Sequence, residues 1–184
     1  MNPIFRAAWE FEQFMSARHW EFCFIGGLAV QRWGKPRFTA DADLTLMTGF
    51  GTEARFIEAI LGSFSGRIPT ARQFALDSRV LLVQASNDIP VDISLGALPF
   101  EAETVQRATL WKIDTTVALT ICSAEDLIIH KCFANRQQDW LDVAGIIGKQ
   151  QHRLDQALLL RELKPLAELK QSPQLVDRLK GMLP

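Results

Sequence analysis

The sequence has little that would staple, anchor or polarise it. Its three cysteines, Cys23, Cys122 and Cys132, sit in the apolar or helical contexts EFCFI, LTICS and IHKCF. An odd number without paired spacing excludes a disulfide scaffold and reads as reduced, buried thiols in a cytoplasmic chain. A zinc site needs Cys and His at ligand spacing, whereas His130 and Cys132, two apart, point to different sides of a helix. No apolar run nears the ~20 residues of a membrane span. Glu10 and Glu12 fall where a leader peptide would be apolar, so neither membrane insertion nor secretion is expected.

An excess of one charge is also missing. The 184 residues carry 20 Lys+Arg and 21 Asp+Glu, a net charge of -1, which excludes gripping nucleic acid mainly by bulk electrostatics but not through a local basic patch. There is no internal repeat, no low-complexity linker, no GxxxxGK[ST] loop and no GxGxxG. The stretch GSFSG has Phe64 where a nucleophile elbow needs serine. His19, His130 and His152 come without a Ser/Cys–Asp set. The tryptophans are scattered and read as core or interface, Trp33 beside Arg32 being placed to stack on a base. What is present is ordinary globular composition, 48% hydrophobic and 22% charged, with length for one core plus a helical extension.

Local patterns divide the chain. Residues 5–19 space Phe5, Ala8, Trp9, Glu12 and Met15 as an amphipathic helix. Glu21 to Ile25 is a short apolar strand ending at Gly26-Gly27, and Leu28 to Gly34 a short helix stopped by Gly34 and Pro36. Asp41 to Met47 alternates as a strand with one buried face. Thr52 to Leu61 reads as a helix capped by Thr52. Val80 to Ala85 and Pro90 to Leu95 read as a hairpin turning at Asn87-Asp88. From Glu101 to Thr120 the pattern is weak. Ser123, with Asp126 three residues on, opens a long helix expected to run to about Ile147 and stop near Gly148. Two more helices follow, over 152–170 and 173–182, interrupted at Pro165 and Pro173. The expected fold is α+β: a mixed sheet flanked by helices over residues 1–100, then a helical region over 101–184.

The stretch from Phe24 to Leu46, FIGGLAVQRWGKPRFTADADLTL, carries the chemistry. Asp41 and Asp43, at i and i+2 of a strand, face the same side roughly 7 Å apart at Cα. Unpaired, two such carboxylates repel, and a divalent cation relieves the repulsion with the oxygen ligands that Mg²⁺ prefers. Asp92, between Val91 and Ile93, offers a third acid from another strand. Three converging carboxylates suit two-metal phosphoryl chemistry, with Asp92 deprotonating or holding an incoming hydroxyl. Strand, two glycines and a helix start expose backbone N–H groups to an anionic phosphate at Gly26 and Gly27, with Arg32, Lys35 and Arg37 adding positive charge.

This GG…RxTxDxD pattern followed by a strand aspartate resembles the nucleotidyltransferase superfamily of the DNA polymerase β type. More narrowly it is similar to the AbiEii-type and minimal nucleotidyltransferases of bacterial toxin–antitoxin loci. The helix AEDLIIHKCFANRQQDWLDV resembles the family's second signature, a Lys, an Arg and DxxD, matched by Lys131, Arg136, Asp139 and Asp142. On one unbroken helix Asp142 would lie about 20° and Asp139 about 80° around from Lys131, with Lys131 and Asp142 about three turns apart.

The resemblance implies Mg²⁺- or Mn²⁺-dependent transfer of a nucleoside monophosphate from an NTP to a hydroxyl of a protein or tRNA, in a toxin–antitoxin component with a cognate protein partner. It implies Asp41, Asp43 and Asp92 as catalytic metal ligands. Gly26, Gly27, Arg37, Thr39 and Lys131 would be nucleotide-binding, with Asp139 and Asp142 supporting them. The alternative is a non-catalytic protein of the same fold that binds a nucleotide or partner. A phosphohydrolase or nuclease reading is weaker, because such sites add histidine ligands and none falls near the three acids. This chain is shorter than many toxin-locus relatives.

Overall fold

In the computed structural model, residues 2–184 are described and fall into two compact units. The first comprises Met1–Leu28 and Phe38–Cys122; the second comprises Ala29–Arg37 and Ser123–Pro184. The sequence placed a division at residue 100, whereas residues 101–122 belong to the first unit.

The first unit is built on a mixed sheet. Its strands are β1 (Phe22–Ile25), β2 (Ala42–Met47), β3 (Ser65–Gly66), β4 (Val80–Gln84), β5 (Pro90–Gly96), β6 (Thr109–Lys112) and β7 (Ala118–Ile121). Among the described residues they run in the order β3-β4-β5-β2-β1-β7-β6. The pairs β2–β5 and β1–β7 are parallel and the others antiparallel. Alternation sorts the central strands into two faces. Leu44, Leu46, Leu81, Val83, Val91, Ile93 and Leu95 are buried on one, while Asp43, Leu82, Asp92 and Ser94 are half-buried on the other.

Helix α1 (Pro3–Ser16) buries Ile4, Ala7, Ala8, Phe11, Glu12 and Met15, the three- and four-residue spacing of a single stripe. Asn2 caps it by accepting the Ile4 N–H at 3.2 Å. Glu12 is buried because Thr120 on β7 satisfies it, the amide and hydroxyl donating at 2.8 and 2.9 Å. Helices α3 (Glu53–Leu61), α4 (Ala71–Ser78) and α5 (Pro99–Gln106) complete this unit. The Thr52 hydroxyl caps nothing; it donates to the Thr48 carbonyl. The hairpin turns as expected, with Asp88 left-handed at φ 64°. The short β3, α4, α5, β6 and β7 had no legible pattern.

Helix α2 (Gly26–Trp33) starts at the first glycine rather than at Leu28. The second unit adds α6 (Ala124–Ala134), α7 (Gln137–Gln150), a 3-10 turn at Gln151–Arg153, α8 (Gln156–Leu169) and α9 (Gln174–Lys180). The long helix expected from Ser123 to Ile147 is therefore two helices. Asn135 adopts the left-handed conformation at φ 62° and ends α6, its N–H donating to the Lys131 carbonyl at 3.0 Å. The Trp140 indole N–H donates to the Asn135 side chain at 2.7 Å and holds the break. Ser123 caps α6 as expected, accepting the Asp126 N–H at 3.0 Å. Gly148 does not stop α7, and α8 passes through Pro165. All three cysteines are buried thiols outside any disulfide, and burial pushes the Cys132 thiol up to about 12, leaving it unreactive.

Candidate active site

The sheet register assembles the acids. β2 and β5 run parallel with Asp43 directly beside Asp92, and β1 runs antiparallel to β2 with Ile25 beside Asp43. Asp41 precedes the strand, which begins at Ala42 rather than Asp41. The Thr39 hydroxyl donates to Asp41 Oδ1 at 3.1 Å and fixes that carboxylate. One oxygen from each of Asp41, Asp43 and Asp92 lies within 4.8 Å of the others, all three residues being half-buried.

The glycine pair follows from this register. Gly26 directly follows Ile25, the partner of Asp43, and so arrives against that aspartate. A Cβ on Gly26 would lie 1.9 Å from Asp43 Oδ2, and its φ is +60°. A Cβ on Gly27 would lie 2.3 Å from Thr39 Oγ1. Both glycines are places where backbone touches the acid-bearing segment, and at Gly26 the positive φ adds a second reason for glycine.

The electrostatics are those of a crowded acidic site with the Arg67 guanidinium at its edge. Burial pushes the Asp92 carboxyl up from its ordinary value, with the Asp41 charge adding to the rise and the Arg67 guanidinium opposing it. Arg67 donates from Nη2 to Asp92 Oδ1. Nothing in the sequence pointed to Arg67, which lies 25 residues from its partner.

The donor set fits a hard divalent cation. It consists of carboxylate oxygens with no nitrogen or sulfur, which suits Mg²⁺ or Mn²⁺ over zinc. Their mutual closeness, within 4.8 Å, lets the three carboxylates share one ion.

The other residues singled out by the sequence lie in the second unit. Arg37 forms a two-pronged ion pair with Asp142, Nε to Oδ1 at 2.8 Å and Nη2 to Oδ2 at 2.9 Å. Lys131 Nζ lies 3.0 Å from Asp139 Oδ1 and 2.9 Å from Asp142 Oδ2. Arg136 donates to Asp139 through Nε at 2.7 Å and through its backbone N–H at 3.1 Å. An unbroken helix would have left Lys131 and Asp142 about 16 Å apart along its axis; the break at Asn135 closes that to contact. Burial alone would raise the Asp142 carboxyl. The bonds from Arg37, Lys131 and Gln138 outweigh it and hold the pKa at about 2. Asp139 is held low in the same way, Arg136 and Lys131 outweighing burial.

No protein-family model matches the chain, and no curated protein matches it in sequence. Solved structures match its fold. The chain aligns with the crystal structure of an antigenic nucleotidyltransferase-like protein from Paracoccidioides brasiliensis at TM-score 0.55 and 16% identity, covering 98% of this chain and 93% of that one. It also aligns with the solution structure of the antibiotic-resistance factor ANT(2'')-Ia at TM-score 0.44 and 13% identity, covering 96% and 89%. The first likeness assigns a nucleotidyltransferase-like fold; the second is too loose to argue from.

Proposed function

We propose that this chain is a divalent-cation-dependent nucleotidyltransferase that moves a nucleoside monophosphate from an NTP to a hydroxyl. The observation that carries the reading is the convergence of three carboxylates against the Gly26-Gly27 turn. Asp41, Asp43 and Asp92 hold Mg²⁺ or Mn²⁺, which when bound neutralises phosphate charge and makes the acceptor hydroxyl more acidic. The backbone N–H groups of Gly26 and Gly27 receive the triphosphate. Thr39 orients Asp41. Asp92, whose carboxyl is pushed up by burial, takes the acceptor's proton.

The finer assignments rest on motif resemblance. A protein or tRNA acceptor, a toxin–antitoxin role with a cognate partner, and nucleotide binding by Arg37 and Lys131 all follow the RxTxDxD and K…R…DxxD signatures. The Arg37 and Lys131 cations have carboxylate partners, so each reaches a phosphate by sharing or exchanging one. Asp139 and Asp142 then set where those cations stand. A cytoplasmic setting is supported by the buried thiols, none of which is in a disulfide. No helix among the described residues is long and apolar enough to cross a membrane.

The test is transfer of radiolabel from each α-labelled NTP, with Mg²⁺ or Mn²⁺, to tRNA or protein. Label is expected in one acceptor class. Asp43→Ala should reduce transfer by at least about a hundredfold with an unchanged circular dichroism spectrum. Equal transfer by that variant removes the reading. A second reading, nucleotide binding without turnover, is favoured by the Arg67–Asp92 ion pair, which already engages the third acid. It predicts a thermal shift with Mg²⁺–NTP and no label in any acceptor.

A further inference from the structure

Arg67 lies just beyond β3, outside every motif that drew attention to the site. Its position is nonetheless built. The Arg67 N–H donates to the Leu82 carbonyl at 3.0 Å, so its backbone is pinned alongside β4. Leu82 is the register partner of Asp92, and Asp92 of Asp43. One row therefore crosses four strands, from Ile25 through Asp43 and Asp92 to Leu82, and Arg67 flanks its end. From there to Asp92 is about two strand spacings, or about 10 Å, a span the long arginine stem bridges over Leu82. Its guanidinium ends on Asp92 Oδ1. The pair is part-buried, with side-chain exposures of 27% and 32%.

We propose that Arg67 is a positioning residue acting through Asp92: it holds the third carboxylate when no cation is bound and gives it up when one binds. This rests on the reading of the three acids as cation ligands. Without a counter-charge, the Asp92 carboxylate faces that of Asp41 at close range, and like charges repel. The guanidinium supplies that counter-charge and fixes the Asp92 carboxylate through Oδ1. A divalent ion within reach of the same carboxylate meets a positive charge one side chain away, and like charges in a part-buried site repel. Cation and guanidinium therefore compete for Asp92. The released guanidinium stays close, because the Leu82 bond holds its backbone, and its planar fork suits an incoming phosphate.

The experiment measures Mn²⁺ binding by loss of the free-ion EPR signal, without nucleotide, for wild type, Arg67→Gln, Arg67→Lys, Asp92→Asn and Asp43→Ala. Competition predicts that Arg67→Gln binds about tenfold more tightly than wild type, with Arg67→Lys between them and Asp92→Asn weaker than wild type. A purely structural Arg67 predicts equal or weaker binding by Arg67→Gln, and that result overturns the proposal. A measurement on the unmutated chain guards against misfolded variants. The Arg67 side-chain N–H signal in an ¹⁵N spectrum, identified by its loss in Arg67→Gln, should move as Mg²⁺ is titrated. A signal that stays fixed through saturation also overturns the proposal. The two levels separate cleanly. Mn²⁺ binding unaffected by Asp43→Ala, or no binding by any form, removes the cation site itself. Binding that needs Asp43 but ignores Arg67 removes only the role of Arg67.

Discussion

Gly26 shows how a single residue ties the fold to the site. Its φ of +60° costs a residue with a Cβ about 1–2 kcal/mol, and its missing Cβ leaves the space that Asp43 Oδ2 fills. Gly27 has only the second constraint, a Thr39 hydroxyl at 2.3 Å from the Cβ position. Gly26→Ala should therefore lower the thermal midpoint more than Gly27→Ala and also weaken Mn²⁺ binding, because Asp43 has to turn away. Calorimetry and cation titration on the two variants check that order. In the sequence the pair GG reads as a turn after a strand, opening a helix whose backbone N–H groups face an anion. That the turn abuts an acid 17 residues on depends on β1 and β2 pairing antiparallel with Ile25 beside Asp43, a register no local pattern states. Asp43 and Asp92 were legible as strand residues, from alternation on β2 and the apolar flanks of Asp92, whereas Asp41, read as the first residue of that strand, falls just before it. Arg67 was not, because a two-residue strand and a cross-sheet reach leave no periodic trace.

At the scale of elements, the instructive case is the single helix that became α6 and α7. Leu127, Ile128 and Cys132 before the break and Trp140, Val143, Ile146 and Ile147 after it are all buried. The apolar spacing thus runs across the break, with no glycine or proline between Leu127 and Trp140 to mark it. Asparagine tolerates the left-handed conformation better than most residues, and here Trp140 rewards it with a hydrogen bond. Asn135→Ala removes both advantages and should cost about 1–3 kcal/mol. Asn135→Gly keeps the backbone conformation and loses only the Trp140 bond, so it should cost less. Urea denaturation of both variants reads the difference. An Ala variant as stable as wild type would mean that the break is set elsewhere than at Asn135.

Across the whole molecule, the second unit gathers its charges from distant stretches of chain. Arg37 reaches Asp142 across 105 residues, and Lys131 and Arg136 complete a chain of alternating charge through Asp142 and Asp139. The sequence offered these residues as a motif; their mutual contact depends on the helix break and on the return of a segment nearly a hundred residues earlier. Asp142 is 3% exposed as a side chain, and removing a buried ionic partner leaves the others uncompensated. Its pKa of about 2 in the folded chain lies below the ordinary aspartate value near 4, so folding favours the ionised form. The stabilisation is complete above about pH 4 and is lost as pH falls through about 2, a change on the order of 2 kcal/mol. Asp139, held low by the same cations, loses its share in the same direction. Wild type should therefore lose stability steeply on acidification below about pH 4. Asp142→Asn should be less stable at neutral pH but flatter across that window, because one of the two titrating carboxylates is gone. Denaturant midpoints measured from pH 6 down to pH 2 on both proteins decide it. Parallel curves would show that the charge network does not govern acid stability, whatever its contacts.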